Sequence, residues 1–145
     1  ALQVNNHLQD CGKDYRNIDR VYIPLDALQA HGARVDDLGA ERATPQLKAC
    51  IAELARKTSW LLQEGSALPD LVADTRLALE IAAIYGLAVK IAAGLQRRDP
   101  LGERVHLGKG GSALIALGAA AGTLVRRPFM RRGFGPLAAR IRGPR

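Results

Sequence analysis

Apolar residues recur at helical spacing along most of this chain. They follow one another every three or four positions from Leu47 to Leu62 and again from Leu77 to Leu95, which is the period of a helix with a buried face. Residues 1–16 combine an apolar side with a polar one at the same period. No stretch alternates convincingly in the way of a half-buried strand, so the pattern predicts an all-α fold.

Local signals place the ends of these helices. Thr44-Pro45 offers an N-cap hydroxyl followed by proline at the first helical position, and that helix is expected to run to Gly65. Asp70 or Asp74 is expected to begin the next helix, which ends before Pro100. Ser112 to Val125 is rich in alanine, glycine and leucine and is also predicted to be helical. Trp60 falls on the flank of the 45–64 stripe, where packing in a core or an interface is expected.

The most informative polar positions lie in the first helix. Asn6, Asp10 and Asp14 are spaced by four, so their side chains follow one face and drift by about 40° per step. Gln3, one turn earlier, borders the same face. An amide oxygen and two carboxylates are hard ligands of the kind that Mg²⁺ accepts, together with waters and substrate phosphates. The simpler alternative is a solvated polar face of a surface helix, and spacing alone favours it.

Two neighbouring features favour the metal interpretation. Lys13 and Arg16 place cations beside the carboxylates, and the helix leads into the abrupt extended exit Arg20-Val21-Tyr22-Ile23-Pro24. His7 and Cys11 lie about 100° off the stripe, so packing or hydrogen bonding is expected for them instead of ligation. Gly12 within the helix costs about 1 kcal/mol relative to alanine, which a close approach of another segment would explain.

The pattern QxxNxxxDxxxD followed by RVYIP resembles the second aspartate-rich motif of the squalene/phytoene synthase family. The segment NHLQDCGKDYRNIDRVYIPLD is most similar to the bacterial squalene synthases of hopanoid pathways. The resemblance extends over roughly residues 1–109. It implies an enzyme nearly twice as long, with another aspartate-rich motif upstream. We therefore expect the C-terminal half of a larger protein. Residues 1–125 would belong to one isoprenoid-synthase-type helical bundle, and residues 126–145 would form a basic, disordered tail.

The resemblance also implies roles for particular residues. Asn6, Asp10 and Asp14 would hold Mg²⁺, with Asp10 and Asp14 needed for catalysis, and Gln3 and Asn6 would contact substrate. Arg104 matches a family arginine that contacts phosphate, and it would serve both binding and catalysis. A family tyrosine that contacts substrate falls near Tyr85, although the spacing between Tyr85 and Arg104 is slightly longer than the family pattern.

The implied reaction is the head-to-head joining of prenyl diphosphates. The substrates would be farnesyl diphosphate or presqualene diphosphate in squalene and hopanoid biosynthesis, with Mg²⁺ assisting ionisation of the diphosphate. A phytoene synthase that uses geranylgeranyl diphosphate is an alternative within the family. Without its other half, the chain is expected to be inactive. Other enzymes of the squalene pathway are conceivable partners.

Charge adds a second hypothesis. The net charge is +7, but the seven arginines of residues 126–145 account for all of it, because that segment has no acidic residue. The rest of the chain is neutral and carries no basic stripe with interleaved aromatic residues, so nucleic-acid binding is not expected. An apolar helix followed by a cationic tail suits the surface of an anionic membrane. The chain could therefore be a non-catalytic, membrane-associated helical domain, or the helix could simply cap a core.

Cysteine usage bears on the compartment. Cys11 and Cys50 lie far apart, without the CxxC spacing of a redox or metal motif. Free thiols are typical of a reducing compartment, so a cytoplasmic protein is expected. The cationic tail adds the expectation of peripheral contact to the inner membrane. The longest apolar runs fall short of the roughly 20 residues of a membrane-spanning helix.

Overall fold

A computed structural model describes residues 1–103 and 108–141, and for residue 109 and residues 127–141 it describes the backbone alone. The described part of the chain contains helices and no strand, which confirms the predicted all-α class. A 3-10 turn, Val35–Gly39, lies between the second and third helices. The helices are α1 (Leu2–Ile18), α2 (Leu25–Ala30), α3 (Pro45–Glu64), α4 (Leu68–Leu71), α5 (Thr75–Leu95) and α6 (Lys109–Ile141).

The chain divides into two compact units. The first unit comprises Ala1–Glu64 and Ala88–Gly108, and the second comprises Gly65–Leu87 and Lys109–Arg145. In the first unit, α1, α2, α3, the 3-10 turn and the end of α5 supply one apolar core. Its buried members are Leu8, Cys11, Ile23, Leu28, Ala33, Leu38, Leu47, Cys50, Ile51, Ala55 and Leu95.

Side-chain caps fix the helix starts that the sequence predicts. The Thr44 hydroxyl accepts a hydrogen bond from the Leu47 backbone N–H at 3.2 Å, at the start of α3. The Asp74 carboxylate accepts one from the Leu77 N–H at 2.7 Å, and α5 begins at the next residue. Asp70 instead belongs to the separate short helix α4, so the predicted 70–95 segment is two helices.

The second unit is organised around α6. A Cβ atom built on Gly86 would lie 3.0 Å from the Ala119 Cβ and 3.4 Å from a methyl group of Ile115, so glycine allows α5 and α6 to approach closely. Asp70 of α4 is buried, and one of its carboxylate oxygens lies 3.8 Å from Nε of Arg126. These contacts identify the face of α6 that packs within its own unit.

Three features depart from the sequence-based expectations. Trp60, expected to pack in a core or an interface, has 61% of its surface exposed and is therefore not part of the core that the described residues form. The helix α6 extends to Ile141, beyond the segment Ser112 to Val125 for which the sequence predicts a helix. Among the described residues, α5 is long and apolar enough to cross a membrane, judged by length and composition only. Its few charged residues interrupt the apolar run without ending the helix.

Candidate functional site

The polar stripe of α1 is defined by Gln3, Asn6, Asp10 and Asp14. Successive members from Asn6 onward are one turn apart, which places their Cβ atoms about 6 Å from one another. Gln3 and Asn6 are exposed, and Asp10 and Asp14 are half-buried. The opposite side of the same helix buries Asn5, Leu8, Cys11 and Gly12. The stripe is therefore the outward edge of a helix whose other side is fixed in a core.

Gly12 allows the second half of α1 to lie against the 3-10 turn. A Cβ atom at this position would be 3.0 Å from Leu101 Cγ and 3.2 Å from the Leu38 carbonyl oxygen. Arg16, one turn later, donates to the carbonyl oxygens of Leu38 and Ala40 at 3.4 and 3.1 Å. The close approach anticipated for this glycine is thus present. Its consequence is that the helix segment bearing Asp10 and Asp14 is held on its inner side.

Asn5 fixes the first turns of α1. Its side-chain N–H₂ donates to the Ala88 carbonyl oxygen at 2.9 Å, and the residue is 3% exposed. Its Oδ1 atom is buried and has no hydrogen-bond partner among the described residues. A buried polar group resists rotation of the helix because turning it would leave a donor unpaired as well. Asn5 therefore sets the direction in which the neighbouring Asn6 projects.

An aromatic pair borders the stripe. The chain reverses after α1 at Asp19, which adopts a left-handed conformation with φ 50°. This reversal returns Tyr22 to α1, where its ring stacks on His7 with centroids 3.8 Å apart and planes inclined by 16°. The Gln3 amide nitrogen lies 3.2 Å from His7 Nε2, and Arg20 donates to the Tyr22 hydroxyl at 3.3 Å. Sequence reasoning assigned no role to Tyr22.

An apolar cavity opens on the flank of α1 beside this aromatic pair. Its volume is about 270 Å³, and its lining is apolar apart from a few side chains, among which His7 and Lys57 are basic. The lining residues are Val4, His7, Leu8, Tyr22, Ile23, Pro24, Leu54, Lys57, Thr58 and Leu61. His7 therefore lies at the border between the polar stripe and an apolar space.

One ion-pair cluster reaches the cavity wall through Lys57. Glu53 accepts from Lys57 at 2.8 Å and lies 2.9 Å from His31 Nε2. The hydrogen bond from Lys57 is the main cause that lowers the pKa of Glu53, and the same bond raises the pKa of Lys57. Lys57 therefore stays cationic at the cavity wall over the physiological pH range.

Cys11 lies between the stripe and the core and is chemically quiet. Burial raises the pKa of its thiol to about 12, and the residue is 2% exposed. The thiolate, which is the form that binds metals or attacks electrophiles, is therefore scarce at neutral pH. The packing role predicted for Cys11 agrees with this position.

The donor atoms of the stripe fit one wall of a magnesium site. Within the described part of the chain, the carboxylates of Asp10 and Asp14 make no hydrogen bond or ion pair. Residues 1–103 and 108–141 contain no cluster of three or more His, Cys, Asp and Glu that could enclose a metal. Mg²⁺ commonly binds through one or two carboxylates plus waters and phosphate oxygens, so an open pair is adequate.

The two other predicted site residues do not belong to α1. Tyr85 is half-buried on α5 and belongs to the second unit. Arg104 lies outside the described residues. The structure therefore places four of the six predicted site residues on one helix face.

Comparisons with known proteins agree with the motif. The model of the family Squalene/phytoene synthase matches residues 1–110. The hydroxysqualene synthase of Rhodopseudomonas palustris is 47% identical over 138 residues, which is 95% of this chain and 46% of the relative. That of Sinorhizobium fredii is 49% identical over 131 residues, covering 90% and 45% of the two chains.

A phytoene synthase is also similar. The Thermus thermophilus protein is 41% identical over 107 residues, which is 74% of this chain and 37% of the relative. The chain thus spans about half the length of the curated relatives it matches. No solved structure matches it significantly.

Proposed function

Because the chain belongs to the squalene/phytoene synthase family, we propose that it forms one wall of a head-to-head prenyl transferase. The substrate class is a prenyl diphosphate, with farnesyl diphosphate or presqualene diphosphate as the preferred members. The hydroxysqualene synthases match at 47% and 49% identity over most of the chain, whereas the phytoene synthase matches at 41% over less of it. This difference supports the squalene and hopanoid branch over phytoene synthesis.

The observation that carries the proposal is a pair of half-buried carboxylates on α1 that make no hydrogen bond or ion pair within the described part of the chain. Asp10 and Asp14 are one turn apart and face away from the core, with the amide of Asn6 one turn before them. Carboxylates that are merely structural gain from a cation or an N–H donor when they are partly buried. These two make no such bond within the described part of the chain, which suits groups whose partner is a ligand.

We assign the ligand set as follows. Asn6, Asp10 and Asp14 would hold Mg²⁺, which when bound supplies Lewis-acid stabilisation for the departing diphosphate. Gln3 would orient the substrate at the start of the stripe, where its amide is already placed by His7. Arg104 and Tyr85 are proposed to complete the diphosphate and hydrocarbon contacts, on the strength of the family pattern alone.

The chain's own residues perform the remaining tasks. Ionisation of the C–O bond leaves a carbocation, which must be kept from water until the new bond forms. The cavity on the flank of α1 offers the required surface, because Leu8, Ile23 and Leu54 line it. We therefore propose that a prenyl chain lies along this apolar flank while its diphosphate lies on the stripe.

The thiols support a proposal for the compartment. Cys11 and Cys50 are both free and buried. We propose a cytoplasmic enzyme, since unpaired cysteines persist most readily in a reducing compartment.

A chimera provides the test. This chain would replace the matching residues of the Rhodopseudomonas palustris enzyme, and diphosphate release would be measured with farnesyl diphosphate and with presqualene diphosphate in the presence of Mg²⁺. We expect release from at least one substrate and a loss of about 100-fold or more in the Asp10→Asn variant, because charge stabilisation is usually the largest catalytic contribution. Circular dichroism would establish that helicity is unchanged. A folded Asp10→Asn chimera with the parent turnover would remove the stripe from the mechanism.

A further inference from the structure

His7 makes contacts on α1 that the proposed ligand set does not explain. Its ring nitrogen Nε2 lies 3.2 Å from the side-chain amide nitrogen of Gln3, one turn earlier. Its ring stacks on Tyr22, with centroids 3.8 Å apart and planes inclined by 16°. His7 is half-buried and also lines the apolar cavity, whereas Gln3 is exposed. A single side chain thus contacts both the polar stripe and the apolar space beside it.

The chemistry of the two nitrogens determines the direction of the contact between His7 and Gln3. An amide nitrogen donates hydrogen bonds and does not accept them, so His7 Nε2 must accept from Gln3. A neutral imidazole carries one N–H, and acceptance at Nε2 places that proton on Nδ1. The bond uses one of the two amide protons of Gln3. The groups that Gln3 keeps for a ligand are therefore its carbonyl oxygen Oε1 and one N–H.

The aromatic stack holds the ring of His7 in place. The two planes are almost parallel, so a rotation of the imidazole would lose the stacked contact with Tyr22. Tyr22 is itself restrained, because Arg20 donates to its hydroxyl at 3.3 Å. An exposed glutamine samples many rotamers and loses that freedom when it binds a ligand. A fixed acceptor at His7 removes part of this loss before the ligand arrives.

We propose that His7 is a positioning residue for the substrate diphosphate. It fixes the amide of Gln3 so that Oε1 and the remaining N–H are presented to the diphosphate and to the water molecules around it. The inference rests on the proposed function, because it requires a diphosphate on the stripe. His7 contacts Gln3 and not the bond that breaks, so its loss should weaken substrate binding more than it slows the chemical step.

Kinetics of the chimera with the Rhodopseudomonas palustris enzyme test this role. His7→Phe keeps a ring beside Tyr22 but offers no acceptor to Gln3. We expect KM for the prenyl diphosphate to rise about tenfold and kcat to change by less than about twofold. His7→Gln should restore part of the loss, because its amide oxygen can accept from a glutamine one turn away.

A matched control removes a hydrogen bond of the same spacing elsewhere. Arg76 donates to Glu80 at 3.0 Å, four residues later on α5, and both side chains are exposed. Arg76→Met should therefore keep the KM and kcat of the parent chimera.

A double-mutant cycle shows whether His7 acts through Gln3. Gln3→Leu alone should raise KM, and His7→Phe in the Gln3→Leu background should raise it no further, since the shared contact is already lost. Fully additive effects would give His7 a role of its own and overturn the inference, as would an unchanged KM in His7→Phe. If turnover still depended on Asp10 in that case, the proposed function would stand while the inference fell.

Nuclear magnetic resonance of the full chain tests the geometry without any activity. At slightly alkaline pH the nitrogen shift of His7 Nε2 should be that of an unprotonated ring nitrogen. The side-chain amide signal of Gln3 should move in His7→Phe and stay in place in Arg76→Met, with the backbone signals showing that both variants fold. A protonated Nε2 would mean that Gln3 presents the opposite edge of its amide. That result, or a Gln3 signal indifferent to His7→Phe, would overturn the inference even if the chimera were inactive.

Discussion

Helices α1 and α6 use their outward faces in opposite ways. The outer face of α1 carries amide and carboxylate groups, and its inner side is clamped by buried Asn5 and by the contact at Gly12. The outer face of α6 carries leucines and glycines, and its inner side packs through small residues such as Ala119. The first helix lies inside the family match, and nearly all of the second lies outside it.

The difference is one of rigidity as well as chemistry. A metal ligand has to be held within a fraction of an ångström, so its helix needs directional contacts on the inner side. An apolar helix face that binds no metal has no such requirement. The hydrogen bonds of Asn5 and Arg16 therefore belong on α1, and open glycines such as Gly118 are tolerated on α6.

The largest expected effect is on turnover. It should distinguish a proposed metal ligand on α1 from a nearby carboxylate with no proposed role. In the chimera with the Rhodopseudomonas palustris enzyme, Asp14→Asn should lower diphosphate release by about 100-fold or more, because a proposed ligand loses its charge. Asp19→Asn is the control, since Asp19 is exposed at the end of α1 and asparagine tolerates its left-handed φ of 50°. It should keep the parent rate.

A substitution on the exposed face of α6 provides the third variant of this experiment. Leu114→Ser should leave turnover unchanged, because Leu114 is exposed on α6 and lies outside the proposed ligand set. Equal losses in Asp14→Asn and Asp19→Asn, or a large loss in Leu114→Ser, would abolish the distinction between the two helices. Steady-state diphosphate release is the measurement for all three variants.

Much of α1 could be predicted because its information is local. The spacing of Asn6, Asp10 and Asp14 determines that they share a face wherever the helix forms, and the Thr44 cap is decided within four residues. The match of the family model confirms the resemblance that the motif indicates.

Contacts that depend on chain reversal could not be predicted. The stacking of Tyr22 on His7 requires the left-handed turn at Asp19, and nothing in the spacing of these residues specifies it. Trp60 shows a second limit of sequence reasoning, because helical periodicity gives the angle of a side chain and cannot tell whether a core neighbour or an interface covers the flank of a stripe. The α6 face has the same ambiguity in sequence, where a core-capping helix and a lipid-facing helix look alike.

A smaller effect concerns thiol reactivity on the two helices. With iodoacetamide at pH 8, Cys11 should react about a thousandfold more slowly than the cysteine of a Leu117→Cys variant. The pKa of Cys11 is raised to about 12 by burial, so its thiolate becomes common only as the pH approaches that value. Leu117 is exposed, and a thiol there should have an ordinary pKa.

Mass spectrometry of modified peptides would measure both rates, with urea-unfolded protein as the control in which they converge. Fast modification of Cys11 in the native chain would show that the inner side of α1 opens readily, which would contradict a clamped helix.

The smallest expected effect is on the free energy of unfolding, which two glycine-to-alanine substitutions should change in opposite directions. In an open helix, alanine stabilises by about 1 kcal/mol relative to glycine, so Gly118→Ala on α6 should raise the free energy of unfolding by about that amount. At Gly12 the new Cβ atom would lie 3.2 Å from the Leu38 carbonyl oxygen, which belongs to backbone and can yield little. Overpacking costs about 1–3 kcal/mol, so Gly12→Ala should lower the free energy of unfolding by about 1 kcal/mol despite the gain in helix propensity.

Urea unfolding followed by circular dichroism at 222 nm would give both values. Stabilisation by both substitutions would mean that the 3-10 turn can move away from α1, and the stripe would then lack the support that its proposed chemistry requires.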